Sequence, residues 1–214
     1  MVDSNITQNI MHPYQFTQQG VSPRQAQRAI ILIHGRGAPP EDILGLADFF
    51  DDGKTWFAAP EAHNYTWYPY SFLMPAAQNQ PWLNSAIENI ARLIDEAREN
   101  FSDDNIFIMG FSQGACLTAE VTARNARKYG GIAVFTGGLI GNEIDTTPYK
   151  GNFEGTKVYI SNGSDDPHIP RQRSEDTNRI MQQMGADTTL EIFPGRVHTI
   201  SMEEIRKVQQ LFFG

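Results

Sequence analysis

The sequence predicts an α/β protein with a mostly parallel sheet and helices on both faces. Three observations carry that prediction. Short apolar runs alternate along the chain with amphipathic segments of helical length. The runs are apolar throughout rather than at every second position, as in strands covered on both faces. At 214 residues the chain is close to the length of one domain, roughly 150 residues. A domain of this size buries roughly 70% of its unfolded surface, so residues 1–214 are read as one domain needing no disulfide or metal to hold its core.

In chain order, residues before 28 are expected to add one or two antiparallel edge strands. Ala29–Ile33 is β-branched, continuous and stopped by His34 and Gly35, the pattern of a buried strand. Pro39 and Pro40 open a helix carrying Ile43, Leu44, Ala47 and Phe50, with Pro40 suited to its first turn. Thr55–Ala59 is the next strand, ended by Pro60. Residues 60–81 form a long irregular stretch rich in Pro, Asn, Gln and aromatics, and long loops of this kind are often functional. Leu83, Ile87, Ile90, Ile94 and Ala97 recur at helical spacing. Strands follow at Asn105–Met109, Ile132–Phe135, Lys157–Ile160 and Thr188–Phe193. Helices are expected at 114–129 and 171–184. Ser201 and Glu204 stand at capping-box spacing before a last helix with Ile205, Val208 and Leu211 on its core face, and Ile200 and Ile205 can close a hydrophobic staple.

Composition excludes several classes of function. Hydrophobic residues at 40% and charged residues at 20% are ordinary for a globular chain and argue against disorder. The 17 Lys and Arg against 25 Asp and Glu give a net charge of −8 with no basic run, so the electrostatic footprint of nucleic-acid binding is missing. The single cysteine, Cys116, rules out an intramolecular disulfide and a cysteine-based zinc site. No apolar run reaches the ~18 residues of a membrane span, and Met1–Asn5 lacks the start of a secretory signal. These features read as a cytoplasmic protein.

Gly110-Phe111-Ser112-Gln113-Gly114 fits G-x-S-x-G between a strand and a helix. A serine on that sharp turn exposes its hydroxyl at the carboxyl edge of the sheet, and the flanking glycines relieve crowding. The helix behind it points free amides at developing negative charge. A hydroxyl becomes nucleophilic only beside a base. Of His12, His34, His63, His168 and His198, only the last two follow the serine and leave the acid ahead of them, the chain order such enzymes use. His168 follows the nearby acids too closely, and His198 lies in the loop between the last strand and the last helix. Asp165 and Asp166 are the acids after the preceding strand. Asp166 is preferred because Pro167 fixes a turn that can aim it inward, and Asp145 remains as the third candidate. The acid orients the histidine and stabilises its charged form. Two backbone amides complete an oxyanion hole: that of Gln113, after the nucleophile, and that of Arg36, in the His34-Gly35-Arg36-Gly37 loop.

Together, His34-Gly35-Arg36-Gly37, Gly110–Gly114, Asp166-Pro167 and His198 resemble the phospholipase/carboxylesterase family of serine hydrolases, which includes the acyl-protein thioesterases. The resemblance runs from about Ala29 to Phe213. It implies a compact α/β-hydrolase fold with little or no lid, hydrolysis of carboxylic esters or thioesters without a cofactor or metal, and often a homodimer. Ser112, Asp166 and His198 fall on the family's triad, and Arg36 and Gln113 on its oxyanion donors. Arg36 departs from the family, which often has an apolar residue there; its side chain either points to solvent or alters substrate choice at the mouth. A peptidase-like amide hydrolase and a non-catalytic scaffold binding a small ligand are the rival readings.

Trp67, Tyr68 and Phe72, aromatics of the 60–81 loop, are candidates for a substrate-binding wall. His63 is read as a loop hydrogen-bonder. Cys116 is read as a packing residue whose thiol could respond to bulky reagents.

Overall fold

A computed structural model describes residues 11–214. Seven strands form one sheet in the order β1-β3-β2-β4-β5-β6-β7. They are β1 (Phe16–Gly20), β2 (Arg28–Ile33), β3 (Thr55–Pro60), β4 (Ile106–Phe111), β5 (Gly131–Phe135), β6 (Lys157–Gly163) and β7 (Asp187–Phe193). Six pair parallel, and β1 alone is antiparallel, against β3. One edge strand therefore precedes residue 28 among the described residues, while residues 1–10 lie outside them.

Successive residues of a strand face opposite sides, so a buried strand needs apolar side chains at both. In β2, Ile31 and Ile33 join the core on one side of the sheet and Ile30 and Leu32 the core on the other. The first core is closed by α3 (Trp82–Ala97), α4 (Gln113–Arg124) and α5 (Arg171–Gln183); the second by α1 (Pro40–Leu44), α2 (Ala47–Phe50) and α6 (Met202–Phe213). The capping box at Ser201 and Glu204 is present, and Ile200 packs with Ile205 against the second core.

Several boundaries differ from the sequence expectation, four of them with an evident cause or partner. The helix after Pro39 is two short ones, because the Leu46 amide bonds back to Ile43, a 3₁₀ step that tightens the chain between them. Pro60 does not follow the strand but is the last residue of β3, paired with Phe16 of the edge strand. The helix expected through residue 129 stops at Arg124. There Asn125 leaves the helical region, and the Ala126 amide donates to Lys150 O at 2.9 Å in a bridge to the 150–151 segment. Strand β6 continues past Ile160 through Ser161, Asn162 and Gly163, which pair with Glu191, Ile192 and Phe193. Residues 61–81 carry only two single turns, at His63–Tyr65 and Ala76–Asn79.

The strand order reverses at the centre: β2 is followed in space by β3 on one side and by β4 on the other. Loops leaving the carboxyl ends of β2 and β4 diverge to opposite faces there, which opens a crevice for a ligand. The Gly35–Gly37 loop and Ser112 both lie at that crevice.

Candidate active site

Ser112 links β4 to α4 with φ 56° and ψ −118°, a conformation costing on the order of 1–3 kcal/mol for a residue with a side chain. Surrounding contacts hold it there. Its amide donates to Phe135 O on β5 at 3.1 Å, and its carbonyl accepts from the Cys116 amide at 3.0 Å. The turn is so tight that a methyl group on Gly110 would run into the Gly114 carbonyl. One on Gly114 would run into the Ile33 and His34 carbonyls. Glycine at both positions lets α4 begin directly against the end of β2.

Both nitrogens of His198 are engaged. Its Nε2 lies 2.7 Å from Ser112 Oγ, and its Nδ1 lies 2.7 Å from Asp166 Oδ2. The carboxylate fixes the tautomer: Nδ1 carries the hydrogen it donates, leaving Nε2 to accept from the serine hydroxyl. The Asp166 side chain is fully buried and His198 is 19% exposed. Asp166 Oδ1 accepts from the His168 amide at 2.8 Å and the Ile169 amide at 3.0 Å. Burial pushes the Asp166 carboxyl up, but the bonds from His198 and from these two amides outweigh it, and the net shift is downward. The group is a carboxylate at neutral pH.

Asp165 instead accepts from the Ser164 hydroxyl on the exposed surface, and Asp145 caps the Thr147 amide. Neither meets His198. His168 touches the site differently, packing edge-on against the His198 ring with centroids 5.0 Å apart. The loops bearing Asp166 and His198 are stitched together: Ser164 N–H donates to Phe193 O and Gly195 N–H to Ser164 Oγ, both at 2.9 Å. Asn162, inside β6, braces the acid loop by donating to Ile169 O at 2.8 Å. This brace was hidden within a polar run that read as loop.

The Gly35–Gly37 loop abuts the serine. A methyl group on Gly35 would stand 3.5 Å from Ser112 Cβ. His34 Nδ1 bonds to Gly35 O at 2.8 Å. In a trans peptide the next N–H points opposite to that carbonyl, so this bond turns the Arg36 N–H away from His34. Among the described residues no hydrogen bond occupies the Arg36 or Gln113 amide. Both are open donors beside a crevice.

A half-open cavity of about 470 Å³ lies over Ser112, with Tyr68, Phe72, Cys116 and Ile169 among its walls. Two of the three expected wall aromatics, Tyr68 and Phe72, line it. Trp67 does not. Its ring is fully buried, stacks on His34 with centroids 4.9 Å apart, and donates from Nε1 to His34 O at 3.0 Å. It anchors the loop rather than lining the cavity. The His63 ring stacks on Trp82, and its loop hydrogen bonds are made by its backbone: the amide donates to His12 Nδ1 at 3.0 Å and the carbonyl accepts from the Thr66 amide at 3.2 Å. The Gln113 side chain has a second duty: its Oε1 accepts from Trp67 N–H and its Nε2 donates to Tyr68 O, each at 2.9 Å. Nothing in the motif signalled that clamp. Cys116 sits on the cavity floor, and burial pushes its thiol up to about 12, so it is not a thiolate competing with Ser112. The Arg36 side chain is exposed yet tethered, donating to Pro69 O and Tyr70 O.

A serine–histidine–carboxylate chain at the carboxyl edge of a doubly wound parallel sheet defines the class as an α/β-hydrolase. Residues 16–212 match the phospholipase/carboxylesterase family model, and the chain belongs to that family of carboxylic ester hydrolases. It is 28% identical to a protein of Arabidopsis thaliana named "Probable carboxylesterase SOBER1-like", covering 86% of this chain and 77% of that one. It is 27% identical to acyl-protein thioesterase 1 of Kluyveromyces lactis, covering 86% and 90%. The crystal structure of a phospholipase/carboxylesterase from Dyadobacter fermentans superimposes with a TM-score of 0.93 at 43% identity, covering 95% of this chain and 98% of that one.

Proposed function

We propose that the chain hydrolyses carboxylic esters through an acyl-enzyme on Ser112. The observation that carries the proposal is the pair of 2.7 Å contacts of His198, to Ser112 Oγ on one side and to Asp166 on the other. His198 Nε2 takes the hydroxyl proton as Oγ attacks the ester carbonyl. Asp166 stays ionised and stabilises the imidazolium. The Gln113 and Arg36 amides donate to the oxyanion, a contribution worth about 2.7–4 kcal/mol per donor. Collapse expels the alcohol, protonated by His198, and leaves the acyl group on Oγ. Water then repeats the sequence and releases the acid. The acyl-protein thioesterase relative extends the proposal to thioesters, because a thiol leaves by the same route.

The test is hydrolysis of p-nitrophenyl esters across acyl lengths, with wild type beside Ser112→Ala. Wild type should turn over and the variant should lose on the order of 10³–10⁶ in kcat, with its circular dichroism unchanged. The preferred length reports how much of the cavity the acyl group fills. Ester turnover undiminished in Ser112→Ala would overturn the proposal. Cleavage of peptides without ester turnover would favour the amide-hydrolase reading.

A further inference from the structure

We infer that Arg36 selects small esters that carry a carboxylate. The inference rests on the ester-hydrolase reading above and concerns which ester the same site takes.

The Arg36 guanidinium spans the cavity mouth from the β2 loop to the 61–81 loop. One terminal nitrogen donates to Pro69 O at 2.9 Å and the other to Tyr70 O at 2.8 Å, and its carbon stands 5.9 Å from the centre of the Tyr68 ring. All of these partners are uncharged. Arg28, Arg98, Arg124, Arg127, Arg171, Arg179 and Arg196 each meet a carboxylate; among the described residues Arg36 is one of five arginines, with Arg24, Arg92, Arg173 and Arg206, that meet none within 4.0 Å. Two of its five N–H donors are used, and three remain.

Among the described residues no acidic side chain lines the cavity. Asp166 stands behind His198 with both oxygens engaged. Glu120, beneath the floor, is paired with Arg124 and also accepts from the Tyr149 hydroxyl. Behind Phe72, a second guanidinium, Arg173, donates to the carbonyls of Leu139 and Asn142, with Asp176 as its acidic neighbour. Despite the net charge of −8, the described residues thus place a cation and no carboxylate on the cavity lining beside Ser112. A cleft of one sign with low-dielectric walls concentrates ligands of the opposite sign. A planar guanidinium held in place by two carbonyls is preorganised to take a carboxylate without first freezing its own rotamers.

The test compares monomethyl succinate, glutarate and adipate with neutral methyl esters of equal acyl length, by proton release. An acetate ester of glycolate, against ethyl acetate, places the carboxylate on the alcohol side. The readout is the ratio of kcat/KM for the charged and neutral members of each pair, so that losses common to both cancel. Wild type should favour the charged member of at least one pair, and Arg36→Gln should lower that ratio roughly 10- to 100-fold, the range for a hydrogen bond to a charged group. Arg36→Lys should keep part of the preference, and added salt should narrow it. Turnover of both members with ratios indifferent to Arg36→Gln would overturn the inference and leave the ester-hydrolase reading standing. Absence of turnover on every ester, with no labelling of Ser112 by a fluorophosphonate, would overturn both.

Discussion

Asp166 shows how much one side chain can do when each of its oxygens has a separate partner. Oδ2 orients His198, while Oδ1 closes its own loop through two amides. Asp166→Asn keeps the shape but offers Nδ1 an amide that can impose the wrong tautomer. It should lower kcat about 10⁴-fold while a single-turnover substrate-binding signal is retained; a loss under tenfold would contradict the assigned role. The triad candidates were legible because strand, turn and helix restrict where each can fall. The roles of the aromatics were not. Trp67 and Tyr68 are neighbours in an aperiodic loop, and without a repeating pattern nothing in the residues says that one ring faces the core and the next the cavity.

At the scale of elements, the 61–81 loop is the least regular part of the molecule and one of the most firmly tied. His34 Nε2 accepts from Ala62 N–H at 3.2 Å, and His12 donates from Nε2 to Trp67 O at 2.8 Å while Nδ1 accepts from His63 N–H. Asn79 holds Tyr70 N–H and Ser71 O from within the loop. Both histidines must be neutral to accept these amides. Burial lowers the pKa of each from the usual 6.5, only partly offset by the bonds to Trp67 O and Gly35 O. The unfolded chain therefore takes up protons near pH 6.5 while the folded chain does not. Stability from these groups is present above that pH and is lost as pH falls toward their folded values. The thermal midpoint should drop between about pH 7 and about pH 5, and His12→Gln, which cannot titrate, should flatten that slope. An unchanged slope would remove His12 from the account. The downward-shifted Asp166 acts in a separate window, below 3.8. Element types were readable from periodicity, whereas ends were set by partners distant in sequence. The helix after Ser112 stops where residues 150–151 claim Ala126, and β6 continues through polar Ser161 and Asn162 because β7 supplies the ladder.

For the molecule as a whole, one topological fact organises the rest. The reversal of strand order between β3-β2 and β4 brings the Gly35–Gly37 loop and Ser112 to one crevice, and the loops after β6 and β7 deliver Asp166 and His198 to the same edge. Two glycines let α4 and β2 close to backbone contact there. A buried ion pair between Arg196, in the histidine loop, and Glu204, in the first turn of α6, ties the base-bearing loop to the second core. On the proposed mechanism this scaffold holds the Ser112 hydroxyl in an activated state, and covalent capture is the most direct test. Wild type treated with a fluorophosphonate should be labelled at one residue per chain. Peptide mass spectrometry should place the label on Ser112, and labelling should vanish in Ser112→Ala and slow by orders of magnitude in His198→Ala. Label on another residue, or equal labelling of the Ser112→Ala variant, would contradict the account.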